Sequence, residues 1–205
     1  MTEDRATADA LAERRGLETE VYQPAEDSAL LLEAAEEHVS GGDLVLEVGT
    51  GSGYVAAVLQ DAHPVDVVGS DVNPVACRQA RDHGVEAVRA DLVAPFRAAV
   101  FDIVLFNPPY LPEHDFGARE DWMEVALTGG ETGRAVIEPF LEDVGRVLAP
   151  GGRVLLLASS LSDLDEVEAR AAEAGFASEE LRRETFPFET LVVFGLREES
   201  ADGSG

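Results

Sequence analysis

The chain has 205 residues, 45% of them hydrophobic, which is enough to bury one substantial core. Its 41 acidic residues outnumber 15 basic ones, all arginine, for a formal net charge of −26. The acids are spread along the chain instead of forming a block, which reads as a uniformly solvated surface that concentrated salt must screen, as in a halophile, and counts against nucleic acid as a substrate.

The first twenty residues are expected to be a partly flexible lead-in, residues 21–196 one domain, and residues 197–205 a disordered acidic tail. Pro24 to Glu37 reads as a helix, with Pro24 in a first turn that tolerates it and an apolar series at Ala25, Ala29, Leu30, Leu32 and Ala35. Gly41-Gly42 breaks the chain before a short buried strand, Leu44 to Leu46. A glycine-rich turn leads into a helix near Tyr54 to Gln60, then a strand Val65 to Ser70 ending at Asp71. Asn73-Pro74 caps and opens a further helix that Gly84 closes. Val85 to Ala90 and Phe101 to Phe106 read as the third and fourth strands. A helix over Thr132 to Leu148 ends at Pro150-Gly151-Gly152, followed by a strand Arg153 to Ala158 and a helix Asp163 to Ala174. Two extended runs, Ser178 to Glu184 and Thr190 to Leu196, form a hairpin around Phe186-Pro187-Phe188. The alternation predicts an α/β, Rossmann-like fold: seven strands, mostly parallel, with an antiparallel strand from the C-terminal hairpin and helices on both faces.

No apolar run is long enough to cross a bilayer and the N-terminus lacks a signal-peptide layout, so a cytoplasmic location is expected. Cys77 is alone, which excludes an internal disulfide. His38, His63, His83 and His114 have no ligand-like spacing, and no metal site is expected.

In such a sheet ligands bind at the carboxyl ends of the strands, and four motifs fall there. Glu47-Val48-Gly49-Thr50-Gly51-Ser52-Gly53 follows the first strand. Its glycines permit a sharp turn and a close approach to a ligand, but the spacing fits a dinucleotide fingerprint only in part and no lysine exists for a P-loop. A cofactor without phosphates fits better. Asp71, about twenty residues on, can accept from both hydroxyls of a ribose, or simply cap the following helix; Val72 adjoins it. Asp91 can accept from an adenine amine while Leu92 packs on the ring, or be one more surface acid. The fourth motif is Asn107-Pro108-Pro109-Tyr110. Two prolines fix the backbone, the Asn107 side-chain oxygen and the Pro108 carbonyl can accept from one planar NH2 group, and the Tyr110 ring can cover its plane. The plainer alternative is a strand-terminating turn.

This order of motifs resembles the class I S-adenosylmethionine-dependent methyltransferases that act on amino groups. Tyr22-Gln23-Pro24-Ala25-Glu26-Asp27-Ser28 and Gly129-Gly130-Glu131-Thr132-Gly133-Arg134 narrow the resemblance to the archaeal and eukaryotic branch of HemK-like release-factor glutamine methyltransferases. That resemblance implies S-adenosylmethionine as cofactor, held by Ser28, Glu47, Gly49, Gly51, Gly53, Asp71, Val72, Asp91, Leu92 and Asn107. It implies Asn107, Pro108, Pro109 and Tyr110 as the catalytic set. The substrate would be the glutamine of the Gly-Gly-Gln loop in the class 1 translation termination factor. Ser28 stands where the family usually has Thr, which keeps the hydroxyl, and Gln23 where it often has Glu. The family also implies a small zinc-binding activator protein, added at the edge of the strand over residues 85–90, where Val85, Ala87 and Val88 leave the backbone little protected. Two alternatives compete: methylation of an exocyclic amine on DNA or RNA, and a non-catalytic scaffold subunit.

Overall fold

Each run read as a strand from the sequence forms one in the computed structural model, which describes residue 21 and residues 23–111 and 126–199. The expectations for Tyr22, His114, the segment before residue 21 and the tail beyond residue 199 lie outside the described residues. The strands are β1 (Leu44–Val48), β2 (Asp66–Asp71), β3 (Glu86–Arg89), β4 (Phe101–Phe106), β5 (Leu148–Ser159), β6 (Phe176–Thr185) and β7 (Thr190–Glu198). The α-helices among the described residues are α1 (Glu26–His38), α2 (Tyr54–Ala62), α3 (Pro74–Asp82), α4 (Ile137–Val147) and α5 (Leu164–Glu173). All seven strands join one sheet in the order β3-β2-β1-β4-β5-β7-β6. β1 runs parallel to β2 and to β4, with Val45 opposite both Val67 and Ile103, while β7 is antiparallel to β5 and β6.

Both faces of the central strands are covered, so apolar residues run continuously and alternate between two cores. On β4, Ile103 and Leu105 face the core shared with α1, α2 and α3, where Leu31, Leu59 and Ala80 are buried. Val104 and Phe106 face the other core, with Phe140 and Val144 of α4 and Val167 of α5. The Phe106 and Phe140 rings pack with centroids 4.4 Å apart. Asn73 caps α3 through Val75 N–H at 2.8 Å, with Pro74 at the first helical position, as the sequence predicts.

Three boundaries differ from expectation. α4 starts at Ile137 instead of Thr132, because Gly130 and Gly133 both take φ +71 and Ala135 N–H bonds back to the Gly129 carbonyl, closing a loop where a helix would need right-handed backbone. β5 begins at Leu148, which pairs with Phe101 before the register shifts to Arg153 opposite Ile103. Arg197 and Glu198, expected in the tail, pair within β7, opposite Ala177 and Phe176.

The third strand does lie at the sheet edge, but not as an open apolar ribbon. Val85 and Ala87 are buried and only Val88 of the three is exposed, at 41%. Arg81 on α3 donates from both Nε and Nη2 to the Ala87 carbonyl. The edge is therefore partly capped from within, one of the devices that keep free strands from pairing.

Candidate active site

The strand order reverses between β2 and β4 on either side of β1, and a crevice opens at the carboxyl ends of those strands. The turn after β1 is built from glycines at φ +65 (Gly49), +54 (Gly51) and +78 (Gly53), a region that side chains with a Cβ rarely enter. Glu47, buried at the end of β1, holds this turn: its Oε2 accepts from Thr50 Oγ1 at 2.5 Å and from Ala56 N–H at 3.2 Å. Asp71 braces it from the neighbouring strand, with Oδ2 accepting from Gly51 N–H at 3.0 Å and Oδ1 from Asn73 N–H at 2.8 Å. A carboxylate has about four acceptor positions, so Asp71 keeps capacity for a ligand hydroxyl beyond its bonds to Gly51, Asn73 and Val72. The capping alternative thus describes part of its role.

Asp91 is exposed at the rim, and Leu92 beside it sits at φ +47, a strained conformation for a residue with a side chain. At the end of β4 the Asn107 Oδ1 atom is buried with no hydrogen-bond partner among the described residues. The hydroxyl of Ser70, at the end of β2, is buried and unpartnered as well. Tyr110 is buried, and its hydroxyl donates to Asp27 Oδ2 at 3.3 Å. Asp27 Oδ1 in turn accepts from Ser28 N–H at 2.6 Å and Ser28 Oγ at 3.3 Å.

The loop before α4 fixes the far side. Leu111 N–H bonds the Leu127 carbonyl at 3.0 Å and Gly129 N–H the Leu111 carbonyl at 2.9 Å. A Cβ on Gly133 would stand 2.7 Å from the Tyr110 carbonyl oxygen, so only glycine lets this loop press against the tetrapeptide. Arg134 anchors the loop by donating to the Ser162 carbonyl at 2.6 Å.

The groups at the strand ends line one cavity of about 230 Å³, far more than the roughly 10–15 Å³ that one water needs. Of the residues predicted from sequence, Ser28, Glu47, Gly49, Gly51, Asp71, Val72, Asp91 and Leu92 are on its wall, together with Asn107, Pro108, Pro109 and Tyr110. Gly53 is not: its missing Cβ would meet Ala80 of α3 at 2.8 Å, so it serves helix packing. Sequence reasoning missed Asp27, Thr50 and Ser70 on the wall. Asp27 stood inside a quoted motif, but its contact with Tyr110 spans 83 positions and leaves no local signal. Among the described residues no group of three or more His, Cys, Asp and Glu could hold a metal, and no helix is long and apolar enough to cross a membrane.

Burial pushes the Glu47 carboxyl up to about 7, with the nearby Asp71 charge adding to it and the Thr50 and Ala56 bonds opposing it. Burial also raises Asp71, against its bonds to Asn73, Gly51 and Val72. For Glu47 the folded value exceeds the ordinary 4.5, so the native state binds its proton more tightly than the unfolded chain does. The stability this confers is present below the unfolded value and is lost as pH rises through the folded one, roughly 3 kcal/mol in all. Glu47→Gln should remove that slope: in calorimetric melts across this window, wild type should lose stability relative to the variant as pH rises.

A methyltransferase domain family model matches residues 45–130. A candidate protein N5-glutamine methyltransferase of Methanocaldococcus jannaschii is 34% identical over 183 residues, covering 86% of this chain and 91% of that protein. The methyltransferase HEMK2 of Homo sapiens is 36% identical over 169 residues, covering 75% of this chain and 78% of that protein. Among solved structures, the E. cuniculi Mtq2-Trm112 complex, responsible for methylation of the eRF1 translation termination factor, matches with a TM-score of 0.74 and 29% identity, over 88% of this chain and 100% of that one.

Proposed function

We propose, from the premise that this chain belongs to the HemK-like protein glutamine methyltransferases, that it methylates the side-chain amide nitrogen of a glutamine in the class 1 translation termination factor. The observation that carries this reading is the buried, unpartnered Asn107 Oδ1 on the cavity wall. A buried acceptor left without a donor costs about 1–3 kcal/mol, a cost that a bound N–H group removes. A planar amide NH2 is such a group.

The wall fits S-adenosylmethionine, which when bound supplies an electrophilic methyl group. Asp71, with acceptor capacity beyond Gly51, Asn73 and Val72, would take a ribose hydroxyl. Asp91 and Leu92 would take the adenine, and Ser28 with the Gly49–Gly51 turn the remainder. An amide nitrogen is a poor nucleophile, and the chain's part is to orient it. Asn107 Oδ1 accepts one amide N–H and the Pro108 carbonyl the other, while the Tyr110 ring closes over the plane. The same two oxygens face the positive charge that grows on nitrogen, and each fixed polar contact of this kind is worth on the order of 10²–10³ in rate. Proximity adds to this by holding nitrogen in line with the methyl carbon.

No arginine is among the described residues lining the cavity, which supports a protein over a nucleic-acid acceptor. A small zinc-binding activator protein would pair with the β3 edge. The solved relative from E. cuniculi is a complex with Trm112 and supports a partner of that kind. Strand addition there would displace Arg81 from the Ala87 carbonyl. The test is competition: the purified chain, with and without activator, is given labelled cofactor and equal amounts of termination factor and nucleic acid. Label in the factor supports the reading, and label in the nucleic acid contradicts it.

A further inference from the structure

The cavity wall contains a carboxylate that the proposed chemistry does not use. Asp27 lies in the first turn of α1 and is 4% exposed, and each of its two oxygens is engaged in a different direction. Oδ1 accepts from the N–H and hydroxyl of Ser28, on the same wall. Oδ2 accepts from the hydroxyl of Tyr110, the last residue of the tetrapeptide. A buried tyrosine hydroxyl needs an acceptor, and a charged one gives the stronger bond. The Tyr110 ring has its backbone end held by the β4 turn and its carbonyl pressed by Gly133. Asp27 holds its far end, across 83 positions of sequence.

We propose that Asp27 is a positioning residue, which sets the plane of the Tyr110 ring over the reacting amide and joins the Ser28 side of the cavity to the substrate side through one carboxylate. The contact with Asp27 limits how far the ring can tilt. Losing the Asp27 contact gives the ring more freedom to rock about its Cα–Cβ and Cβ–Cγ bonds, and the amide is held less often in line. The effect therefore falls on turnover, with cofactor affinity little changed. This inference rests on the glutamine-methyltransferase reading.

The experiment is a double-mutant cycle on kcat with the full chain, its activator and the termination factor. Tyr110→Phe keeps the ring and removes only the hydroxyl. It should lower kcat roughly tenfold to a hundredfold, with S-adenosylhomocysteine affinity within about twofold of wild type. Asp27→Ala should lose at least as much, since it also removes the acceptor for Ser28, and the double variant no more than Asp27→Ala alone, because the Tyr110 contact is then already gone. Asp27→Asn should restore most of the rate, since Oδ1 still accepts from Ser28 and the amide NH2 can donate to the Tyr110 oxygen. Thermal stabilisation by S-adenosylhomocysteine checks that each variant is folded. A wild-type kcat in Tyr110→Phe, or losses that add in the double variant, overturns this proposal while leaving the function intact. No methyl transfer by wild type overturns both.

Discussion

Replacing Asn107 with alanine is expected to reduce methyl transfer by on the order of 10²–10³-fold while leaving S-adenosylhomocysteine affinity within a few-fold of wild type. The split follows from where the side chain's polarity is spent. Asn107 Oδ1 is buried and bonded to nothing within the described chain, so its removal breaks no internal contact. The contacts available to a nucleoside lie elsewhere on the wall, at Asp71 and Asp91. On the proposed function, the variant loses an acceptor that would orient the amide and face the charge growing on its nitrogen. Single-turnover kinetics and an isothermal titration on the same preparation measure the two halves. Loss of both together would mean that Asn107 supports the cavity and does not act on the acceptor.

Gly53→Ala should destabilise the fold by roughly 2–5 kcal/mol, the sum of a left-handed backbone forced on a residue with a Cβ and an overpacked helix contact. The added methyl would stand 2.8 Å from both Cα and Cβ of Ala80, and a backbone atom cannot turn aside as a side-chain tip can. Moving α3 is the remaining escape. That helix carries the Asn73 cap beside Asp71, and Arg81, which caps the β3 edge. Urea or thermal unfolding of the variant measures the cost. A loss under about 1 kcal/mol would show that α3 yields freely. Gly53 is absent from the cavity wall, so weaker cofactor binding should track the fraction unfolded and not precede it.

The sheet was legible because burial on both faces writes itself as unbroken apolar runs: Phe101 to Phe106 could be read as a strand from composition alone. The ends of elements were less legible where glycine geometry decides them. Nothing local in Thr132-Gly133-Arg134 says that Gly133 must face the Tyr110 carbonyl instead of starting a helix. The strand-end motifs placed most of the wall, since the sheet gathers consecutive strand ends in one crevice. Contacts that join distant segments were invisible, as with Asp27 and Tyr110. So was the double duty of Asp71, which braces the glycine turn as well as facing the cavity. The edge strand was read as unprotected because a strand pattern shows its own side chains and not an arginine arriving from the preceding helix.

Delivery of a methyl group from the Asn107 cavity to a glutamine amide of the termination factor is the step on which the proposed function stands. It is tested most directly by mapping the modified atom. The chain and its activator would be incubated with S-adenosylmethionine and termination factor, and the factor digested and sequenced by mass spectrometry. One added methyl is expected on the side-chain amide of the Gly-Gly-Gln glutamine, absent when Asn107→Ala replaces wild type. A methyl group on another residue type of the factor, or an unmodified factor beside methylated nucleic acid, would contradict it.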